Sequence, residues 1–154
     1  MTTDKTWVHY FMPKSKRSMQ WHHPGSPKPK KAKTRFSAGK VMVTILWDSK
    51  GVLYVDFLTD HRTINAEYYA ELLEGPVKTA IRNKRNRSQT SVSFLQDNAC
   101  THVAARTMDT IQNLKWNILP YPPYSPDLAP SDYHHLFGPL KGHLGGKSFA
   151  IMRK

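Results

Sequence analysis

The sequence predicts an α/β fold in which a mixed sheet is flanked by helices. Three observations carry this. Residues 3–11, 41–47 and 52–58 are dense in β-branched and aromatic residues, and the last two runs flank the turn chemistry Asp48-Ser49-Lys50-Gly51. Apolar residues recur at helical spacing in Tyr69, Leu72, Leu73, Val77 and Ile81, and again in Val103, Thr107, Ile111 and Leu114. Two short apolar runs, 91–95 and 116–119, bracket that second pattern, so strands and helices alternate along the chain.

The elements follow in order. Residues 3–11 read as a strand with Asp4 at its very start, where the backbone is prone to fray. Residues 13–40 carry Pro13, Pro24, Pro27 and Pro29 and read as a long excursion without regular structure. Residues 41–47 and 52–58 form an antiparallel hairpin, with Gly51 free to take a positive φ. Asp48 reads as a turn residue and Asp56 as an outward strand residue. Thr63 or Asn65 caps the next helix, and Gly75-Pro76 should kink it or divide it in two, since proline inside a helix costs about 3 kcal/mol. Residues 91–95 form a strand that delivers Asp97 to its end. Thr101 is the expected N-cap of one helix that packs Val103, Thr107, Ile111 and Leu114 on the sheet. Residues 116–119 form a short strand. Five prolines between Pro120 and Pro130 then fix an extended connection, and Ser131 is placed to cap a final helix carrying Asp132 and stopping at Gly145-Gly146.

Length and composition bound the function. A chain of 154 residues, 39% hydrophobic, suits a single domain with a core. No apolar run approaches the ~20 residues of a membrane span, and Met1-Thr2-Thr3-Asp4 does not read as a signal peptide. The single cysteine, Cys100, excludes an internal disulfide and a cysteine-built zinc site, and it reads as a small packing residue. A reducing compartment, nucleus or cytosol, fits.

The formal charge is +12, and the segment from Pro13 to Lys40 holds nine basic residues and no acidic one. A polyanion, with nucleic acid foremost, is the natural partner; the alternative is a solvated tail. The candidate phosphate contacts are Lys14, Lys16, Arg17, Lys28, Lys30, Lys31, Lys33 and Arg35, with Trp21 to stack on a base or anchor the loop. The Lys28–Lys33 run also resembles a nuclear localisation signal.

The chemistry centres on carboxylates. Asp97 lies where a strand turns into a helix, the rim at which α/β folds carry their sites. Asp4 and Asp132 are the two that could meet it. Three carboxylates without cysteine favour a hard divalent cation, Mg²⁺ or Mn²⁺. His102, five residues past Asp97, is placed either to approach metal or phosphate or to hold the turn by a hydrogen bond. Asp127 is a rival to Asp132 within the proline-rich connection.

These residues carry a family resemblance. Asp4-Lys5-Thr6-Trp7-Val8, Ser15-Lys16-Arg17-Ser18-Met19-Gln20-Trp21, His23-Pro24-Gly25-Ser26-Pro27, Trp47-Asp48-Ser49-Lys50-Gly51, Thr63-Ile64-Asn65, Gln96-Asp97-Asn98-Ala99 with His102, and the run from Pro122 to His134 resemble, in order, the transposases of the mariner group. The family signature has three aspartates with 34 residues between the second and third, and 34 residues separate Asp97 from Asp132. The resemblance implies an RNase H-like domain over residues 1–154 with a basic loop at 13–40 between its first two strands. It implies catalytic, metal-holding roles for Asp4, Asp97 and Asp132 on two Mg²⁺ or Mn²⁺ ions, Asp4 bridging them. It further implies cleavage of a DNA phosphodiester at a transposon end, strand transfer to target DNA, a homodimer, and residence in the nucleus. Against the family pattern the chain reads as truncated at both ends, without the helix-turn-helix modules. Lys5 stands where the family is usually acidic, and His134-His135 stands where it has one histidine. One added residue turns a helix by about 100°, which is expected to take Leu136 and Phe137 off the core face unless the helix bulges. The alternatives are a domesticated DNA-binding module without turnover, as in SET-domain–mariner fusions, and a decayed remnant.

Overall fold

The computed structural model describes residues 1–13, 25, 37–58, 63–85, 91–123, 125, 128–131 and 136–148. Its first three strands are β1 (Thr2–His9), β2 (Lys40–Asp48) and β3 (Gly51–Leu58), paired antiparallel in the order β1-β2-β3. Gly51 turns the hairpin at φ 115°, the left-handed backbone expected of it. Two short parallel strands, β4 (Ser93–Phe94) and β5 (Asn117–Ile118), lie on the other edge of β1. A parallel bridge between Thr2 and Leu95 joins the two groups, with Thr3 N–H donating to Leu95 O at 3.2 Å and Leu95 N–H to Met1 O at 2.9 Å. The strand order is therefore β3-β2-β1-β4-β5, a mixed sheet with β1 in the middle. This is the expected architecture.

Asp4 is the third residue of β1, opposite Ile45, and not at a loose strand end. The expectation of fraying is corrected: hydrogen bonds from β2 and from Leu95 hold this stretch at both edges.

Helices cover both faces because β2 alternates. Leu46 faces a core of Tyr69, Leu72, Leu73, Val77, Phe94 and Ile111, drawn from helix α1 (Ala66–Leu72), the turn after it, β4 and helix α4 (Ala105–Asn113), with the half-buried Ile81 of α2 (Lys78–Lys84) packed against it. Val43 and Ile45 face the opposite side and bury Phe137 of helix α5 (Phe137–Leu144), with Leu136 and Leu140 against them. Asn65 caps α1, its Oδ1 accepting from Tyr68 N–H at 2.8 Å. Between α1 and α2 the backbone widens into a π turn, Leu73–Val77, around Pro76. The wider turn accommodates a residue that has no N–H to donate, so the expected interruption takes this form.

The segment after Asp97 departs from expectation. The single helix after Asp97 is two, α3 (Cys100–Val103) and α4, broken where Ala104 takes φ −61°, ψ 144°. Its N-cap is Ala99, without a side-chain bond, rather than Thr101. The break turns Val103 out to solvent, 52% exposed, while Thr107 and Ile111 stay buried. Cys100, expected to pack, is exposed. Phe137 is buried, the outcome expected only where the helix is irregular, and Leu136 does leave the helical region (φ −129°, ψ −62°) immediately before α5. The expected stop holds: α5 ends before Gly145, and Gly146 has φ 77°.

Candidate metal and phosphodiester site

A cavity of about 410 Å³ opens at the end of the sheet where β1 and β4 run side by side. Asp4 reaches it from β1. Asp97 reaches it from the turn between β4 and α3. The opposite wall is the proline-rich connection, Tyr121, Pro122 and Pro123, and then Ala129, Pro130 and Ser131. The cavity thus brings together two of the three expected aspartates and the residue preceding the third. Asp132 lies outside the described residues, as do Asp127, Lys14, Lys16, Arg17, Trp21, Lys28, Lys30, Lys31, Lys33 and Arg35.

Local geometry holds both carboxylates. Asp4 Oδ1 accepts from the Lys5 backbone N–H at 2.7 Å. Asp97 is 57% exposed, and its Oδ1 accepts from Ala99 N–H at 3.1 Å and lies 2.5 Å from His102 Nδ1. The hydrogen bond from His102 holds the Asp97 carboxyl below the usual carboxylate range; partial burial opposes this, and the His102, Ala99 and Lys5 contributions reinforce it. An exposed, ionised carboxylate beside a second one is hard-oxygen donor chemistry. Among the described residues lining the cavity there is no histidine or cysteine. This donor set fits Mg²⁺ or Mn²⁺ and not a softer metal.

His102, named with the phosphate contacts, is inside the protein at 2% exposure. Its ring packs on Tyr69 with centroids 4.4 Å apart. A buried ring presents no surface to a phosphate, so that role is corrected.

Sequence reasoning passed over Lys5 as a site group. Its partner Thr44 puts it on the sheet face away from Asp4. The ammonium lies 3.3 Å from Thr101 Oγ1 and 5.2 Å from the centre of the Tyr69 ring. Burial lowers its pKa, while the charges of Asp97 and Asp4 oppose that shift. Alternation along β1 was the available signal. It placed residue 5 opposite Asp4 but said nothing of its approach to Asp97. Lys5 also lines a second cavity, about 760 Å³, with Trp7 and Lys40, whose ammonium stands 4.0 Å over the Trp7 ring.

Residues 11–91 match the family described as transposase (partial DDE domain). The mariner Mos1 transposase of Drosophila mauritiana is 38% identical over 152 residues, which is 97% of this chain and 43% of that protein. The histone-lysine N-methyltransferase SETMAR of Homo sapiens is 35% identical over 155 residues, 97% of this chain and 22% of that protein. Among solved structures, the Mos1 mariner paired end complex with Mn superposes with a TM-score of 0.84 at 37% identity, covering 98% of this chain and 44% of the other. The chain spans less than half the length of these curated relatives.

Proposed function

The chain belongs to the mariner transposases, and on that premise we propose that it is the part of a catalytic domain that cleaves DNA phosphodiesters and transfers strands with divalent metal. The supporting observation is that Asp4 and Asp97 open onto one cavity whose far wall ends at Ser131, one residue before Asp132. Asp4, Asp97 and Asp132 would hold two Mg²⁺ or Mn²⁺ ions through carboxylate oxygens. Bound there, such ions supply an activated water and a counter-charge for the leaving oxygen of an in-line displacement. The fold's contribution is placement. Asp4 comes from the central strand and Asp97 from a turn pinned by Ala99 and His102, so neither carboxylate rests on a free loop. The prolines from 120 to 130 restrict the connection that leads to Asp132.

The partner in this reading is DNA, transposon end and target, met by the basic segment 13–40 in the nucleus and by a homodimer when the rest of the family's architecture is present. The relative solved as a paired end complex supports the DNA partner and the pairing.

Thermal unfolding with and without Mn²⁺, on the parent and on Asp97→Asn, tests the site. Mn²⁺ raises the melting temperature of the parent only, and the parent nicks supercoiled DNA in Mn²⁺. An equal Mn²⁺ response in both proteins overturns the metal site. The likeness to SETMAR, a mariner-like segment within a protein named for another activity, favours a second reading as a DNA-binding module. Metal-stabilised, salt-dependent DNA binding without nicking would select it.

A further inference from the structure

Four residues around Asp97 form a closed chain of contacts. Tyr69 Oη donates to Gln96 Oε1 at 3.1 Å, and Gln96 Nε2 donates to the His102 carbonyl at 3.2 Å. His102 stacks on Tyr69 and presents Nδ1 to Asp97 Oδ1 at 2.5 Å. Tyr69, Gln96 and His102 are buried, whereas Asp97 is open to the cavity. The buried members therefore have fixed orientations, and His102 Nδ1 faces Asp97, nearest its Oδ1 and 3.3 Å from its main-chain oxygen. His102 Nε2 has no hydrogen-bond partner among the described residues. A ring kept only for packing would be better served by a side chain with no nitrogen there, since an unpaired buried polar atom is destabilising. What the histidine supplies that an apolar ring does not is the Nδ1–H aimed at Asp97.

We propose that His102 is a positioning residue for Asp97, its ring oriented by Tyr69 and Gln96 so that Nδ1–H holds Oδ1 and thereby sets the direction of Oδ2 toward the metal. The inference rests on the metal-site reading above. An exposed aspartate has free rotation about χ1 and χ2, and two donors on one oxygen, Ala99 N–H and His102 Nδ1–H, remove most of it before any cation arrives. Outer partners of this kind commonly change metal affinity by about 10- to 100-fold when removed.

Two substitutions separate positioning from packing. His102→Phe keeps a ring against Tyr69 and loses the donor. His102→Asn loses the ring and places an amide N–H near the position of Nδ1. Mn²⁺ affinity is measured by calorimetry below the melting temperature of each protein, with Asp97→Asn as the site control. His102→Phe is expected to keep a cooperative melt close to the parent's and to weaken Mn²⁺ binding about 10-fold or more. His102→Asn is expected to melt lower and yet bind Mn²⁺ within about threefold of the parent, well short of the roughly 10- to 100-fold loss that removing an outer partner causes. His102→Leu provides a second donor-free variant should the larger ring be refused by the core. Parent-like Mn²⁺ affinity in the donor-free variants, or an equal loss in His102→Asn, overturns the inference while leaving the metal site standing. A parent whose Mn²⁺ binding is absent, or unchanged in Asp97→Asn, overturns the metal-site reading and this inference with it.

Discussion

Trp47 donates its indole N–H to Ser131 Oγ at 2.9 Å, tying strand β2 to the residue that precedes Asp132. The pairing register of β2 with β3 shifts between Leu46 and Trp47, and Ser131 is 1% exposed. The bond thus anchors the end of the proline-rich connection on the sheet. Ser131 was expected to cap a helix through residues that lie outside the described ones; among the described residues its hydroxyl accepts from the indole of a strand residue.

Trp47→Phe removes the donor together with part of the ring volume, and leaves a buried hydroxyl without its partner. The expected loss is about 1–3 kcal/mol, seen as a lower melting temperature. The Mn²⁺-dependent rise in melting temperature should shrink as well, because the anchor lies one residue from Asp132. A double-mutant cycle with Ser131→Ala checks the pair: if the two losses simply add, the bond contributes nothing.

Gly75 sits in the π turn with a negative φ, and a Cβ there would meet nothing within 4 Å. Gly75→Ala should stabilise the protein by about 0.5–1 kcal/mol by restricting the unfolded chain. Chemical denaturation measures it. A destabilised variant would mean that the wide turn needs the glycine.

Asp48 receives a forked contact from Arg85, through Nε at 2.9 Å and through Nη2, and its Oδ1 also accepts from Lys50 N–H at 2.8 Å. Burial raises the Asp48 pKa, but the hydrogen bonds from Arg85 and Lys50 and the Arg85 charge outweigh it, so the net shift is downward. A carboxyl whose folded pKa is depressed stabilises the fold above its unfolded pKa, about 3.9. That stabilisation is lost as pH falls through the lower folded value. Asp48→Asn should therefore melt below the parent at pH 7, and the gap should close as the pH is taken below about 4. A gap that stays constant down to pH 2 would count against the ion pair.

DNA affinity should fall steeply with salt. Each phosphate neutralised contributes about 0.9 to the slope of log K against log salt on duplex DNA. Replacing Lys28, Lys30, Lys31 and Lys33 together by alanine should flatten the slope by up to about 4 and weaken binding to all sequences alike. An unchanged slope would place the phosphate contacts elsewhere.

The hairpin, the Asn65 cap and the glycine stop after α5 were legible because each is decided within a few residues: period-two alternation, a side-chain oxygen before a helix, a backbone that tolerates positive φ. The division of the helix at Ala104 was not legible. Val103, Thr107 and Ile111 carry a helical period straight through it, and Thr107 closes the break by donating to Thr101 O at 2.7 Å, a bond visible only once the chain has folded. The same limit applied to Phe137, whose burial depends on how the backbone at Leu136 resets the helix against Val43 and Ile45.

By itself the sequence determined the order of strands and helices, the concentration of positive charge between Pro13 and Lys40, and a 34-residue spacing between Asp97 and Asp132 that matches the signature of the family it resembles. These are properties of neighbouring residues or of counting. Only the tertiary structure decided that Asp4 and Asp97 share one cavity, that Lys5 lies in reach of both charges, and that His102 faces inward to hold Asp97. Each depends on a contact between segments some 90 residues apart or on a burial produced by several elements at once, and no local pattern encodes which of two faces such a side chain will find.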